Sequence, residues 1–511
     1  MPGHVTRVSI SGLDAYLDED GRPRDGAPLG MLLSAYAERN GDATALVLGG
    51  QQLSFAALDR AANRLARHLQ SIGVGQGDRV VVCMRNRPEC IQAMYAAWKL
   101  GATPCPISFR LVQAEFDAIL ALVDPRCLVG DSQTPSASCA FVNVDTVSLQ
   151  DLPGEPLPPA IAQPGKILAS GGSTGRPKLI VDPLPSTWGA DKASIFRPSG
   201  ITILNGGPLY HTGPYNYAIL PLAEGSKVVC MEQFDPVEWL RLVEAHRPHS
   251  VNMVPTMMSR IAKLPVEITQ AADLGSIQVL FHAAAPCPPD IKRWWIDRIG
   301  AQHVLEVYGG TERIGATMIF GDEWLAHPGS VGRPVSGDEI VILDDAGNQL
   351  PPHQVGEVHF RRPAVGPGTK YSYIGADSRI RGELDGFGDH GWLDADGYLY
   401  IADRRTDMVV VAGMNVYPAE IEAAIESHAA VLCCAVIGLP DADRGNRLHA
   451  IVELRGGIAA PEDGLAFLAG VFERLSPFKR PRSVEFTHDR IRDDAGKVRR
   501  GDLRAARVAR M

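Results

Sequence analysis

Between Ser170 and Lys178 the chain reads Ser-Gly-Gly-Ser-Thr-Gly-Arg-Pro-Lys, which brings glycines, hydroxyls and two cations into one short loop. The chemistry such a loop suits is the holding of a polyphosphate. Gly171, Gly172 and Gly175 let a backbone approach closely and adopt positive φ, while exposed N–H groups and the Ser173 and Thr174 hydroxyls can donate to phosphate oxygens. A Walker loop ends Gly-Lys-Ser/Thr and opens a helix. Here Gly175 is followed by Arg176, Pro177 and Lys178 and then by Leu179-Ile180-Val181, which speaks against a P-loop kinase or ATPase. Taken alone, the segment reads as an ordinary Gly/Ser turn.

A loop of this kind is fixed by what flanks it. Lys166-Ile167-Leu168-Ala169 before it and the β-branched run after it predict a strand–loop–strand hairpin. Upstream, Leu58 to Leu69 sets leucines and alanines on one helical face, Arg79 to Cys83 is a short buried strand, and a second helix runs from about Glu89 to Leu100. This alternation predicts parallel sheets covered by helices. Proline-rich residues 151–165 form a connector. A second α/β alternation fills roughly 200 to 320, with strands at Val279–Phe281 and Val304–Val307. Short strands and glycine turns, as in Val355–Phe360, follow to residue 402, and the main domain boundary is expected near Asp403 to Asp407. The remaining hundred or so residues suit a small second domain.

Composition narrows the function classes. A chain of 511 residues should form two or more domains with substantial cores. The formal net charge of −9 argues against a general nucleic-acid binder. No apolar run is long enough for a bilayer and no signal-peptide pattern opens the chain, so a cytoplasmic protein is expected. The nine cysteines are scattered without a Cys-x-x-Cys pair and read as reduced and buried. Adjacent Cys433 and Cys434 lie in an apolar run and should face opposite sides of a strand.

Further along stand Val307-Tyr308-Gly309-Gly310-Thr311-Glu312, Gly388-Asp389-His390-Gly391-Trp392, Asp403-Arg404-Arg405-Thr406-Asp407, Gly413-Met414-Asn415-Val416-Tyr417-Pro418 and, near the end, Gly496-Lys497. Together with the Ser170–Lys178 loop, and in this order, they resemble the core motifs of the adenylate-forming (ANL) superfamily. That family holds acyl-CoA synthetases, luciferases and nonribosomal adenylation domains. The resemblance covers nearly the whole chain. It implies an α/β protein: a large N-terminal domain of α/β subdomains with a small β-barrel-like part, residues 1–402, and a small mobile α+β domain, residues 403–511. It also implies an AMP-forming acid–thiol ligase that uses ATP, Mg²⁺ and coenzyme A.

The resemblance assigns roles residue by residue. Ser170, Gly171, Gly172, Ser173, Thr174, Gly175 and Lys178 would form the ATP loop, with Ala284, Ala285 and Tyr308 beside adenine and Gly309 also among the ATP-binding residues. Thr311 would donate to the α-phosphate, and Glu312, with Thr174, would hold the metal through the oxygen ligands a hard ion prefers. Asp389 and Arg404 would take the ribose and phosphate. Lys497 would bridge carboxylate and α-phosphate during adenylation only, although locally it sits in a basic run that includes Arg499 and Arg500. Gly413 and Asn415 would line the CoA tunnel. Thr406 would be the hinge, where Asp or Lys is commoner. Alanines at 283–285 replace usual glycines, a modest steric narrowing.

The acid is read from Pro208-Leu209-Tyr210-His211-Thr212-Gly213-Pro214-Tyr215-Asn216, which has no acidic residue, so a substrate ammonium would lack a partner and an α-amino acid is disfavoured. His211 is the candidate gate between acyl pocket and tunnel. Tyr210, His211, Gly213, Tyr215, Gly309, Gly310 and Gly315 are assigned to the acyl pocket, the glycines leaving room. The loop spelling looks most like bile-acid-type CoA ligases, which points to a bulky terpenoid, steroid or aromatic carboxylate. The partners expected are that acid and CoA, with a carrier protein in trans as the alternative acceptor, a homodimer as a compatible assembly and no nucleic acid.

Overall fold

The computed structural model describes residues 13–170, 178–189, 199–335, 337–361, 371–377, 380, 382–404, 407–411, 414–441, 444–493 and 496–511. Its largest sheet has nine strands. Six of them, Thr44–Leu48, Lys227–Cys230, Thr202–Asn205, Ser250–Met253, Val279–His282 and Val304–Gly309, lie side by side and parallel, with antiparallel strands at both edges. Val, Ile and Leu dominate these strands because both faces are covered by helices. A second sheet, all parallel, orders Thr103–Pro106, Arg79–Cys83, Cys127–Gly130 and Ala140–Asn143. The strand foreseen at Arg79–Cys83 has those bounds.

Helices Phe55–Ser71 and Pro88–Lys99 pack between these sheets. Ser54 caps the first, its hydroxyl accepting from the Ala57 amide, so the helix starts one turn earlier than its leucine pattern suggests. Nearly every residue of the second is buried, and Lys99 is held there by Asp59 at 2.7 Å and Ser34 at 2.8 Å. The proline-rich connector has no helix or strand of its own; Arg64 donates to Leu152 O at 3.0 Å, and Trp98 Nε1 to Gly165 O at 2.7 Å.

The hairpin strands Ile167–Ser170 and Lys178–Val181 pair antiparallel with Ser170 opposite Lys178, as the flanking runs predict. A third strand, Ser372–Ile374, extends them. An antiparallel sheet of Glu339–Leu343, Gly356–Arg361, Leu384–Asp385, Asp389–Leu393 and Leu399–Arg404 forms the barrel-like part. That last strand continues through Asp403 and Arg404, so the boundary drawn after residue 402 falls inside a strand of the large body. The strand pairing, which sequence alone does not show, carries the chain two residues further.

Beyond it, Val431–Asp441, Gly445–Leu454 and Ser483–Thr487 form the sheet of the small domain, packed on helix Pro418–Glu426. Cys433 and Cys434 do face opposite ways, into separate apolar clusters. Among the described residues no helix is long and apolar enough to cross a membrane, and all nine cysteines are free.

Candidate active site

Four neighbouring parallel strands end on one edge of the nine-stranded sheet, at Asn205, Met253, His282 and Gly309. In open α/β sheets such an edge is where ligands bind. The segments that follow carry Tyr210 and His211, Val254 and the start of helix Pro255–Ala262, Ala283 to Pro286, and Gly310 to Gly315.

His211 precedes helix Thr212–Ala223, and the Thr212 and Thr311 hydroxyls meet in a short hydrogen bond. The loop before His211 is held by Asn86, which sequence reading passed over. Its carboxamide donates to Gly207 O and Met231 O, each at 2.9 Å, and accepts from the Leu209 amide at 2.9 Å. A lone Asn in Arg-Asn-Arg-Pro carries no local sign of that task. The Tyr210 ring lies 4.7 Å from the His211 ring and makes an edge contact with Phe109.

Glu312 is met by two groups from the hairpin side. Lys178 Nζ stands 3.7 Å from Glu312 Oε1 and 3.9 Å from the centre of the Tyr373 ring. The Tyr373 hydroxyl donates to the same oxygen at 2.7 Å, and burial together with that carboxylate pushes the phenol pKa far up. Tyr373 was not foreseen, because only the pairing of Tyr373 with Ile180 brings it there. Tyr308 donates to Asp389 Oδ2 at 2.7 Å, and its ring clusters with those of Phe360 and Phe387, which also touch each other. Asp389 is opposite Arg404 in adjacent strands.

Several assigned residues stand elsewhere than expected. Tyr215 is in the core, 1% exposed and edge-on to Trp98, because its helix turns that face inward. It does not line the acyl pocket. A Cβ at Gly315 would overlap the Phe360 ring, and one at Gly310 would overlap Phe387; at Gly309 it would come within 3.3 Å of Gly315 O. Aromatic rings and backbone fill the room these glycines were expected to leave. Only Gly213 opens, with the carboxamide of buried Asn252 the nearest group at 3.8 Å. Ala284 has φ +78°, so replacing glycine here costs backbone strain, not merely space.

The terminal turn also reaches this edge. Gly496, at φ +76°, brings its backbone against Val254 and Thr256, with Thr256 Oγ1 3.4 Å from where a Cβ would stand. Asp493 accepts from the Lys497 amide at 2.9 Å, and Arg492 Nη1 donates to Gly496 O at 3.2 Å, which closes the turn. A cavity of about 200 Å³ between the two bodies is lined by Arg85, Arg110, Arg260, Thr256, Ala285 and Arg490, among others. Gly171, Gly172, Ser173, Thr174, Gly175, Thr406 and Gly413 lie outside the described residues, as do the side chains of Ser170, Arg404 and Asn415.

The signature of the AMP-binding enzymes matches residues 33–369, and that of their C-terminal domain matches residues 420–497. This chain belongs to the AMP-binding enzyme family. It is similar to a feruloyl-CoA synthase of Amycolatopsis sp, 33% identical over 478 residues, with 90% of this chain and 95% of the relative covered. A 2-succinylbenzoate–CoA ligase of Geobacillus kaustophilus is 30% identical, with 89% and 93% covered. Among solved structures, the anthranilate CoA ligase AuaEII with anthranoyl-AMP superposes with a TM-score of 0.79 at 24% identity, covering 95% and 98%. As an AMP-binding enzyme the protein is an adenylate-forming ligase of the acyl-CoA synthetase class, with that family's large N-terminal and small C-terminal domains.

Proposed function

We propose that the protein joins an aromatic carboxylic acid to AMP and then transfers the acyl group to coenzyme A. The observation that carries this reading is the gathering of Thr311, Glu312, Lys178, the Tyr308–Asp389 pair and the Gly496–Lys497 turn around one edge of the main sheet.

In the first half-reaction a carboxylate oxygen attacks the α-phosphorus of ATP, the bond to the β-phosphate oxygen breaks, and pyrophosphate leaves. An anion must approach a polyanion, so cations and aimed donors matter most. Lys178 supplies a cation beside Glu312 and the phosphate hairpin, Thr311 a hydroxyl for the α-phosphate, and Lys497 the cation between the two reacting anions. The Tyr308–Asp389 pair offers a flat ring for adenine and a carboxylate for the ribose hydroxyls. Glu312 suits a magnesium ion carried in with ATP, because its carboxylate is a hard oxygen donor already oriented by Tyr373. Magnesium would screen phosphate charge. In the second half-reaction the thiol sulfur attacks the acyl carbon and AMP departs.

The acid is read as aromatic and compact. Feruloyl and 2-succinylbenzoyl groups name the substrates of the two relatives. Here Tyr210, Phe109 and the Gly213 opening beside Asn252 suit a flat ring with a polar substituent. Pyrophosphate release with ATP and a panel of ferulate, benzoate, 2-succinylbenzoate, palmitate and cholate tests this, with mass spectrometry of the products. Ferulate-type acids should give an acyl-adenylate and then an acyl-CoA. Release with palmitate or cholate alone, or acyl transfer to a phosphopantetheinyl protein but not to CoA, would overturn it.

A further inference from the structure

The small domain meets the large body through a cation that the large body supplies. Lys263 caps the C-terminal end of helix Pro255–Ala262 of the large body, whose N-terminal end, at Val254 and Thr256, touches Gly496. Its half-buried ammonium donates to Val431 O at 2.8 Å and to Glu426 O at 3.4 Å. Glu426 is the last residue of helix Pro418–Glu426 in the small domain. The final carbonyls of a helix lack donors of their own and carry the negative end of its dipole. A basic residue in the last turn usually answers this, and this helix has none. The large body provides it.

The same Glu426 leads to the terminal turn. Its carboxylate accepts from Arg492 Nη2 at 3.0 Å and from the Cys434 amide at 3.0 Å, while Arg492 Nη1 holds Gly496 O. Three contacts therefore run from Lys263 through Glu426 and Arg492 to the residue before Lys497. A cross-domain ion pair, Arg499 with Glu115 at 2.9 Å, has side chains 49% and 39% exposed, and such pairs contribute little. Shielded charge-assisted hydrogen bonds are stronger, so Lys263 outweighs it.

We propose that Lys263 is a positioning residue for the first half-reaction: it docks the end of helix Pro418–Glu426 and so holds the Lys497 turn at the nucleotide edge. The inference rests on the role given to Lys497 under the proposed function. Its contacts join two bodies and belong to the interior of neither, so losing them should leave both folded. If the small domain turns away to admit the thiol, Lys263 must release its two carbonyls. Its removal should then cost the first half-reaction alone.

Lys263→Met keeps the apolar stem and removes the donors. Pyrophosphate release from ATP and ferulate should fall in kcat by about tenfold, the scale of one charge-assisted hydrogen bond, with the KM for ATP within about twofold of wild type. Conversion of synthetic feruloyl-adenylate and CoA to the thioester should be unchanged or faster, and Lys263→Arg should recover most of the adenylation rate. Hydrogen exchange should quicken at Val254 and Thr256 and at Arg492, Asp493, Gly496 and Lys497 in Lys263→Met. Equal losses in both half-reactions, or neither rate nor exchange altered, would overturn the proposal. Should the wild type form no adenylate from any acid, the functional reading fails by itself. Exchange then decides Lys263: quickened at those segments supports docking, and unchanged refutes it.

Discussion

Lys497 and Tyr373 serve the proposed chemistry differently, the first as a cation for the reacting anions and the second as the donor that orients Glu312. Lys497→Ala should lower pyrophosphate release by roughly a hundredfold or more, the scale of one lost transition-state stabiliser. Thioester formation from supplied acyl-adenylate should survive, and stopped-flow assays of the two half-reactions would separate these outcomes. Tyr373→Phe leaves one Glu312 oxygen without its 2.7 Å donor. Its adenylation kcat should fall by about three- to tenfold, consistent with losing one hydrogen bond to a charged group, while the melting temperature stays close to wild type. A variant as active as wild type in steady-state turnover would remove Tyr373 from the site.

At the scale of elements, the turn Gly310–Gly315 is shaped by rings that pack behind it. Gly315→Ala drives a methyl group into Phe360, and overpacking of this kind costs about 1–3 kcal/mol. Urea titration should show that loss, together with weaker ATP binding as Thr311 and Glu312 shift; stability equal to wild type would mean Phe360 moves freely. Local pattern carried much of this architecture. The apolar run Arg79–Cys83, the flanks of the phosphate hairpin and the alternation at Cys433–Cys434 each sit within a single element, where side-chain period is enough. Tyr373, Asn86 and the rings filling the glycine spaces act across strands distant in sequence, and no local spacing encodes such meetings. The same limit placed Tyr215 in the pocket, since its helix is apolar on several sides and only packing against Trp98 decides which face turns inward.

For the whole molecule, one buried base links stability to pH. His282 is 0% exposed, neither ring nitrogen has a partner among the described residues, and burial, then the nearby Lys292, holds its pKa well below the ordinary value. The unfolded chain therefore binds a proton near pH 6.5 that the folded protein refuses, so stability is full above that pH and declines as pH falls. The slope is about 1.4 kcal/mol per pH unit, or about 2 kcal/mol between pH 6.5 and 5. Urea midpoints measured across that range should fall accordingly, and His282→Leu should flatten the decline. An unchanged slope in the variant would assign it to other groups.

The Lys263 contact has a last consequence for how lobes can be exchanged. It grips peptide oxygens, which every sequence possesses, and not a side chain that must be matched. A C-terminal lobe transplanted from another ligase should therefore find its seat on this body wherever its helix ends at the same height, leaving acid selection to the host.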